Sequence, residues 1–142
     1  MKPWTYQGKP FELPVPFDPK QLHGFVYCIT NLVTGKKYIG KKGFVFSKSK
    51  QIKGKKKKFK AESDWSTYCG SSEILLNEIA EHGIEDFDRE ILHLCKSKAE
   101  CSYWETYEIF RSQALLKPNL YINEWVSCKI RRKHLGRLIE QS

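Results

Sequence analysis

The chain has 142 residues, which is long enough for one domain with a buried core and too short for two domains of ordinary size. Lysine and arginine number 25 against 16 aspartates and glutamates, and the net charge of +9 indicates a polyanionic partner, most commonly nucleic acid. No apolar run approaches the roughly 20 residues of a membrane span, and the N-terminal residues lack the apolar core of a secretory signal. We therefore expect a cytoplasmic protein with no membrane contact.

The first 22 residues combine closely spaced prolines with several aromatic side chains. The prolines exclude a helix, and the aromatic residues argue against free disorder. We expect an extended N-terminal arm over residues 1–22 that lies on the surface of a domain spanning residues 23–125.

The most informative segment follows this arm and contains two strand-like stretches joined by a turn. Residues 25–29 alternate with the period of a strand, and residues 31–35 are rich in turn formers. On such a hairpin Tyr27 and Tyr38 point to the same face, and Gly40 lets the backbone approach a ligand closely. Tyrosines in strands also commonly serve only to pack, so the hairpin by itself leaves both interpretations open.

A lysine-rich insertion occupies residues 43–64, with aromatic residues near both of its ends. This pattern predicts a basic β-finger that contacts nucleic acid, because each lysine placed on a phosphate releases a counterion. The alternative is a solvated loop with no partner. The lysines expected to contact phosphate are Lys53, Lys55, Lys56, Lys57 and Lys58.

The second half of the domain predicts a helix, a strand and a second helix. Ser71 or Ser72 caps a helix over residues 73–82, and Gly83 ends it. A strand follows over residues 88–95. Ser97 to Glu100 forms a capping box that opens a helix reaching to near residue 114. The tail, residues 126–142, predicts a basic helix that carries Lys129, Arg131, Arg132, Lys133 and Arg137.

Two short motifs resemble the catalytic hairpin of the GIY-YIG nucleases: Gly24-Phe25-Val26-Tyr27 and Tyr38-Ile39-Gly40. The order of strands and helices up to Tyr121-Ile122-Asn123 is also similar to that family. Tyr38-Ile39-Gly40-Lys41-Lys42 and the later Trp65, Tyr68, Gly70, Ser71 and Ser72 resemble a phage-type subgroup. The resemblance implies an α/β (α+β) fold, with a small antiparallel three-stranded sheet flanked by helices and interrupted by the basic insertion.

The resemblance also implies the site residues. Glu105, four residues before Ile109, matches the essential glutamate and would hold a single Mg²⁺ or Mn²⁺, whereas without the resemblance it reads as an exposed helix residue like Glu100 and Glu108. Tyr27 would take or orient the proton of the nucleophile, Tyr38 would support the water or phosphate, and Asn123 would brace the site. A general-base role for Tyr27 requires a cation such as Lys41 to lower its pKa. We expect these groups to face one shallow, positively charged groove.

The chain departs from the family pattern because the first helix lacks an arginine near the scissile phosphate. Lys41, Lys42 or Arg89 is the expected replacement, with Ser71 sharing the phosphate contact. The further residues expected to contact nucleic acid are Lys42, Ser71, Arg89, Arg131 and Arg132.

The sequence therefore predicts a metal-dependent DNA endonuclease, phage-encoded and acting in a bacterial host cell as a monomer or homodimer. Two alternatives remain open. One is a catalytically inactive module with the same fold that binds DNA or RNA, and the other is a basic RNA-binding or ribosome-associated protein.

Overall fold

The computed structural model describes residues 1–141, and it describes their side chains except those of residues 47–52 and 56–60. The strands in chain order are β1 (Thr5–Tyr6), β2 (Lys9–Pro10), β3 (Gly24–Asn31), β4 (Lys37–Gly43), β5 (Val45–Ile52), β6 (Lys55–Glu62) and β7 (Phe87–Cys95). The helices are α1 (Glu73–His82), α2 (Lys98–Arg111) and α3 (Gly136–Gln141), with short 3₁₀ turns at Ile84–Asp86, Ala114–Leu116 and Arg132–Leu135.

The main sheet has five strands in the order β2-β1-β7-β3-β4. Its centre is the antiparallel set β7-β3-β4 that the sequence predicts. The observed sheet is larger than the three-stranded sheet that was expected, because β1 pairs parallel to β7 and β2 pairs antiparallel to β1. Trp4 secures this addition: its side chain is buried, and its indole nitrogen donates a hydrogen bond of 2.7 Å to the Trp65 carbonyl. The segment expected to be a surface arm thus also supplies a core residue.

The basic insertion forms a separate antiparallel hairpin of β5 and β6, as predicted. Pairing runs without interruption from Val45 opposite Glu62 to Ile52 opposite Lys55. Lys53 and Gly54 close the hairpin with φ angles of 50° and 75°. Positive φ at both central residues is the turn geometry that matches the twist of two paired strands.

Both faces of strand β3 are buried. Successive side chains of a strand point to opposite sides of the sheet, so neighbouring residues of β3 enter different clusters. Phe25, Tyr27 and Ile29 belong to one apolar cluster, which Leu75 of α1 joins. Val26 belongs to a second cluster, which includes Cys101 and Ile109 of α2. The two helices therefore cover opposite faces of the sheet.

The first helix begins and ends as the sequence predicts. The Ser72 hydroxyl accepts a hydrogen bond from the Leu75 amide at 3.3 Å, and the Gly83 amide donates to the Ile79 carbonyl where α1 ends. None of the helices within residues 1–141 is long and apolar enough to cross a membrane.

The second helix and the tail differ from the predictions in their extents. Ser97 caps α2, but Glu100 accepts from the Lys96 amide, one residue before the position of an ideal capping box. Helix α2 ends at Arg111, because Gln113 adopts a left-handed conformation with a φ of 58°. The tail helix α3 has only 6 residues, and of the predicted basic set only Arg137 lies on it.

Candidate active site

A pocket of about 620 Å³ opens at the β4 edge of the main sheet. Helix α1 reaches it from one face of the sheet with its N-terminus, and α2 reaches it from the other face with Glu105. The segment after Leu120 runs beside the start of β4, where the Ile122 amide donates to the Lys37 carbonyl at 2.8 Å. All five residues predicted to be catalytic line this pocket: Tyr27, Tyr38, Lys41, Glu105 and Asn123.

The Tyr27 hydroxyl lies in space that Gly40 leaves free. Tyr27 pairs with Gly40 across the hairpin, and a Cβ atom at Gly40 would lie 2.3 Å from the Tyr27 hydroxyl oxygen. A Cβ atom at Gly70, whose φ is +94°, would lie 3.6 Å from the same oxygen and 2.8 Å from Leu75 Cδ2. The glycine of the second motif is therefore needed for the position of the tyrosine in the first.

Tyr38 lies on the same face of the hairpin as Tyr27, as predicted, with the two ring centroids 6.3 Å apart. The loop before α1 surrounds both rings. Tyr68 packs edge-on against Tyr27 with a centroid distance of 6.0 Å, and the Ser71 hydroxyl interacts with that of Tyr38. The Trp-x-x-Tyr-x-Gly-Ser-Ser motif thus builds the wall that holds the two tyrosines.

Both tyrosines are held in their neutral form. Burial, followed by the neighbouring Tyr68 and Tyr38 phenols, raises the pKa of Tyr27 well above its ordinary value. Burial also raises the pKa of Tyr38, and the Ser71 hydroxyl only partly opposes this effect. The requirement that a cation lower the Tyr27 pKa is therefore not met by the residues that surround it. As neutral phenols, both can orient a group by hydrogen bonding.

Glu105 presents a half-buried carboxylate to the pocket. Burial raises the pKa of Glu105, and the charge of Lys41 opposes this shift. Among the side chains that the structure describes, no hydrogen-bond donor or ion-pair partner binds the Glu105 carboxylate. Such a carboxylate fits a divalent cation, which offsets the cost of its burial. Within the same part of the chain, no group of 3 or more His, Cys, Asp and Glu side chains lies close enough together to hold a metal ion, so the ion would keep most of its water ligands.

Asn123 fixes the backbone of β4 beside the pocket. Its Oδ1 accepts from the Ile39 amide at 3.0 Å, and its Nδ2 donates to the Ile39 carbonyl at 2.8 Å. These two hydrogen bonds replace those that a neighbouring strand would form with this edge of the sheet. This geometry fits the bracing role predicted for Asn123 and uses both polar groups of its amide.

The two lysines after Gly40 have different environments. Lys41 lines the pocket, and its Nζ donates to the Ser102 hydroxyl at 2.7 Å. Lys42 points away to form an ion pair of 2.6 Å with Asp64, and its Nζ lies 4.2 Å from the Tyr68 ring centroid. Of the two, only Lys41 lines the pocket.

Arg89 is buried and serves the fold, contrary to its predicted contact with phosphate. Its guanidinium donates to the carbonyls of Lys2, Ser66 and Tyr68 at 2.7, 3.0 and 2.8 Å, and it lies over the Trp4 ring. These contacts join the N-terminal segment to the loop before α1 and leave the guanidinium directed away from solvent. The isolated position of this arginine in the sequence gave no sign of its burial.

Glu100 and Glu108 are also buried, although the sequence suggested exposed positions. Glu100 forms an ion pair with Arg137 of α3, which attaches the tail to α2. Glu108 binds His93 Nε2 at 2.9 Å and Arg111 Nη2 at 3.0 Å. Glu105 differs from both because it faces the pocket and none of the described lysine, arginine or histidine side chains forms an ion pair with it.

The pocket itself is acidic, which corrects the expectation of a positively charged groove. Its charged lining consists of Lys41 and the three glutamates Glu73, Glu105 and Glu124. A phosphate would be repelled by this set of side chains alone. A divalent cation at Glu105 would cancel the excess negative charge of this lining, so the attraction for a phosphate would come from the bound ion together with Lys41.

The residues predicted to contact nucleic acid outside the pocket are mostly on the surface. Lys53 and Lys55 are exposed at the tip of the hairpin, whereas the side chains of Lys56, Lys57 and Lys58 lie outside the described residues. Arg131 and Arg132 are exposed in the tail, and Ser71 is exposed at the pocket.

Three charged or aromatic side chains of the pocket were not predicted from the sequence: Glu73, Glu124 and Trp125. In the sequence, Glu73 is only an acidic residue in the first turn of a helix, where the helix dipole favours it. Glu124 and Trp125 directly follow the Tyr-Ile-Asn motif, and a tryptophan in so polar a segment was the available signal.

Comparison with protein families gives a match to the family described as "Putative endonuclease segE, GIY-YIG domain" over residues 4–126. The chain belongs to the GIY-YIG family. The match begins at Trp4, the residue through which the N-terminal segment enters the core, and it ends just after the pocket residue Trp125. Comparisons with curated proteins and with solved structures gave no significant match.

Proposed function

We propose that this protein is a DNA endonuclease that hydrolyses phosphodiester bonds with a single divalent cation, Mg²⁺ or Mn²⁺, held by Glu105. The observation that carries the proposal is the convergence of Tyr27, Tyr38, Lys41 and Glu105 in one pocket, with the Glu105 carboxylate free of a protein cation. Membership of the GIY-YIG family supports the same conclusion.

Each side chain has a distinct task in the proposed reaction. Glu105 would hold the ion, which would supply Lewis acidity and lower the pKa of the attacking water. Tyr27 and Tyr38 stay neutral and orient the water and the phosphate through their hydroxyls. Asn123 keeps β4 in place, so that the Tyr38 ring and the Lys41 ammonium on that strand hold their positions.

Negative charge on the phosphate is stabilised by two features of the chain. Lys41 supplies an ammonium group, which acts as a point charge without the two-pronged geometry of an arginine. The N-terminus of α1 also faces the pocket through Ser72, Glu73 and Ile74, and the positive end of a helix dipole favours anions. Together they take the place of the arginine that the first helix lacks.

The basic hairpin and tail would bind the DNA backbone outside the pocket. Four exposed basic side chains are available for this contact: Lys53, Lys55, Arg131 and Arg132. They would bind phosphates and would not discriminate between base sequences.

A plasmid assay tests the proposal. Supercoiled DNA incubated with the protein and Mg²⁺ should be converted to nicked or linear forms, and chelation of the metal should prevent the conversion. Glu105→Gln should lower the rate by at least about a hundredfold, since one metal-centred charge interaction contributes several kcal/mol at the transition state.

The alternative is an inactive module with the same fold that binds DNA or RNA. It is favoured by the single described cation in the pocket lining, Lys41, which already donates to Ser102. Plasmid that is retarded by the protein but stays supercoiled with Mg²⁺ and with Mn²⁺ would support this module and contradict the endonuclease.

A further inference from the structure

Trp125 is a large aromatic side chain left open to solvent at the candidate active site. It is 75 % exposed, yet it lines the same pocket as Tyr27, Tyr38 and Glu105. Among the described residues, no ring stacks on the indole and no group forms a hydrogen bond with it. Exposure of so large an apolar surface is costly in water, and such side chains often mark binding sites.

The backbone on both sides of Trp125 is anchored. Two residues earlier, Asn123 forms both of its side-chain hydrogen bonds with Ile39. One residue later, Val126 packs against the apolar cluster between β4 and α2. The backbone that bears the indole is therefore held on both sides at the edge of the pocket.

We propose that Trp125 stacks on a nucleobase next to the scissile phosphate, which makes DNA with an unpaired or readily unstacked base the preferred substrate. The inference rests on the proposed endonuclease function. An indole offers a flat surface on which any base can stack. In an intact duplex the base faces are covered by neighbouring base pairs, so this contact requires a base that is unpaired, flipped out or opened by insertion of the ring.

A binding experiment separates this inference from cleavage. A short fluorescently labelled duplex with one unpaired nucleotide and its fully paired counterpart are titrated with protein, with Ca²⁺ in place of Mg²⁺ so that the pocket keeps a divalent cation, and a denaturing gel checks that no strand is cut. The wild-type protein should bind the duplex with the unpaired nucleotide more tightly. Trp125→Leu should weaken that complex by roughly 5- to 100-fold, the contribution of one stacked base, and should affect the paired duplex less.

Two further variants control the experiment. Trp125→Phe should retain most of the affinity, because a phenyl ring still stacks on a base. Phe110→Leu removes another exposed aromatic ring, which lies in a separate groove with Tyr103 and Tyr107, and should change neither complex. Equal affinity of Trp125→Leu and wild type for the duplex with the unpaired nucleotide, or an equal loss with both duplexes, would overturn the inference. Either result leaves the plasmid assay as an independent test of the endonuclease.

Discussion

Replacing Gly40 by alanine tests the arrangement of the two tyrosines most sharply. The new Cβ atom would lie 2.3 Å from the Tyr27 hydroxyl oxygen and 2.5 Å from its Cζ, whereas ordinary contacts of a Cβ atom begin at 3.4 Å. Tyr27 is only 1 % exposed, and its ring packs against those of Trp4, Phe25 and Tyr68, which restrict its movement. The phenol or strand β4 must therefore shift by about 1 Å, a displacement that costs catalytic groups about a hundredfold in rate.

The same substitution should also destabilise the protein. Overpacking of a filled core costs about 1–3 kcal/mol, equivalent to a decrease in Tm of roughly 3–12 °C for a domain of this size. Gly136→Ala is the matched control, because Gly136 has helical φ and ψ of −53° and −41° and no atom within 4 Å of an added Cβ. Plasmid cleavage and thermal denaturation are measured for both variants. A Gly40→Ala protein with wild-type Tm and cleavage rate would refute the position assigned to Tyr27.

Three further predictions concern charge. Replacing the four lysines at 55–58 with serine should reduce the slope of the logarithm of the DNA-binding constant against the logarithm of the salt concentration by up to about 3.6. The control, in which Lys9 and Lys20 are both replaced with serine, should leave this slope nearly unchanged. An unaltered slope would mean that the hairpin only faces solvent. Glu108→Gln should lower the free energy of unfolding by about 1–2 kcal/mol, because Glu108 binds His93 and Arg111, while the folded protein keeps its cleavage rate. Glu105→Gln should instead raise the Tm at neutral pH without metal. The pKa of Glu105 is raised in the folded state, so the folded wild-type protein binds more protons than the unfolded chain. The wild type therefore loses stability as pH rises through that pKa, whereas glutamine does not titrate. The difference in Tm between wild type and variant should vanish in acid. Equal Tm values at neutral pH would contradict the burial of this carboxylate.

Local signals in the sequence were sufficient to predict the central hairpin, the basic hairpin and the first helix. Residues 25–29 alternate as a strand must, and Ser72 and Gly83 are the cap and stop residues that helix geometry requires. The common face of Tyr27 and Tyr38 also follows from strand periodicity, because it needs only the correct pairing across one turn.

Features that depend on contacts distant in sequence could not be predicted in this way. Arg89 and Glu108 look like ordinary surface charges, and only the approach of Lys2, Ser66 and His93 in space explains their burial. The acidity of the pocket has the same origin, because it gathers glutamates from α1, α2 and the segment after Asn123. The positive net charge of the whole chain therefore did not predict the charge of this pocket.

Direct measurement of metal binding tests the central proposal, that Glu105 holds the divalent cation. Mn²⁺ is titrated into the protein without DNA, and the free ion is followed by electron paramagnetic resonance. The wild-type protein should bind one ion, Glu108→Gln should bind it with similar affinity, and Glu105→Gln should bind it at least about tenfold more weakly. Binding of Mn²⁺ by Glu105→Gln with the affinity of the wild type would contradict the assignment of this pocket as the metal site.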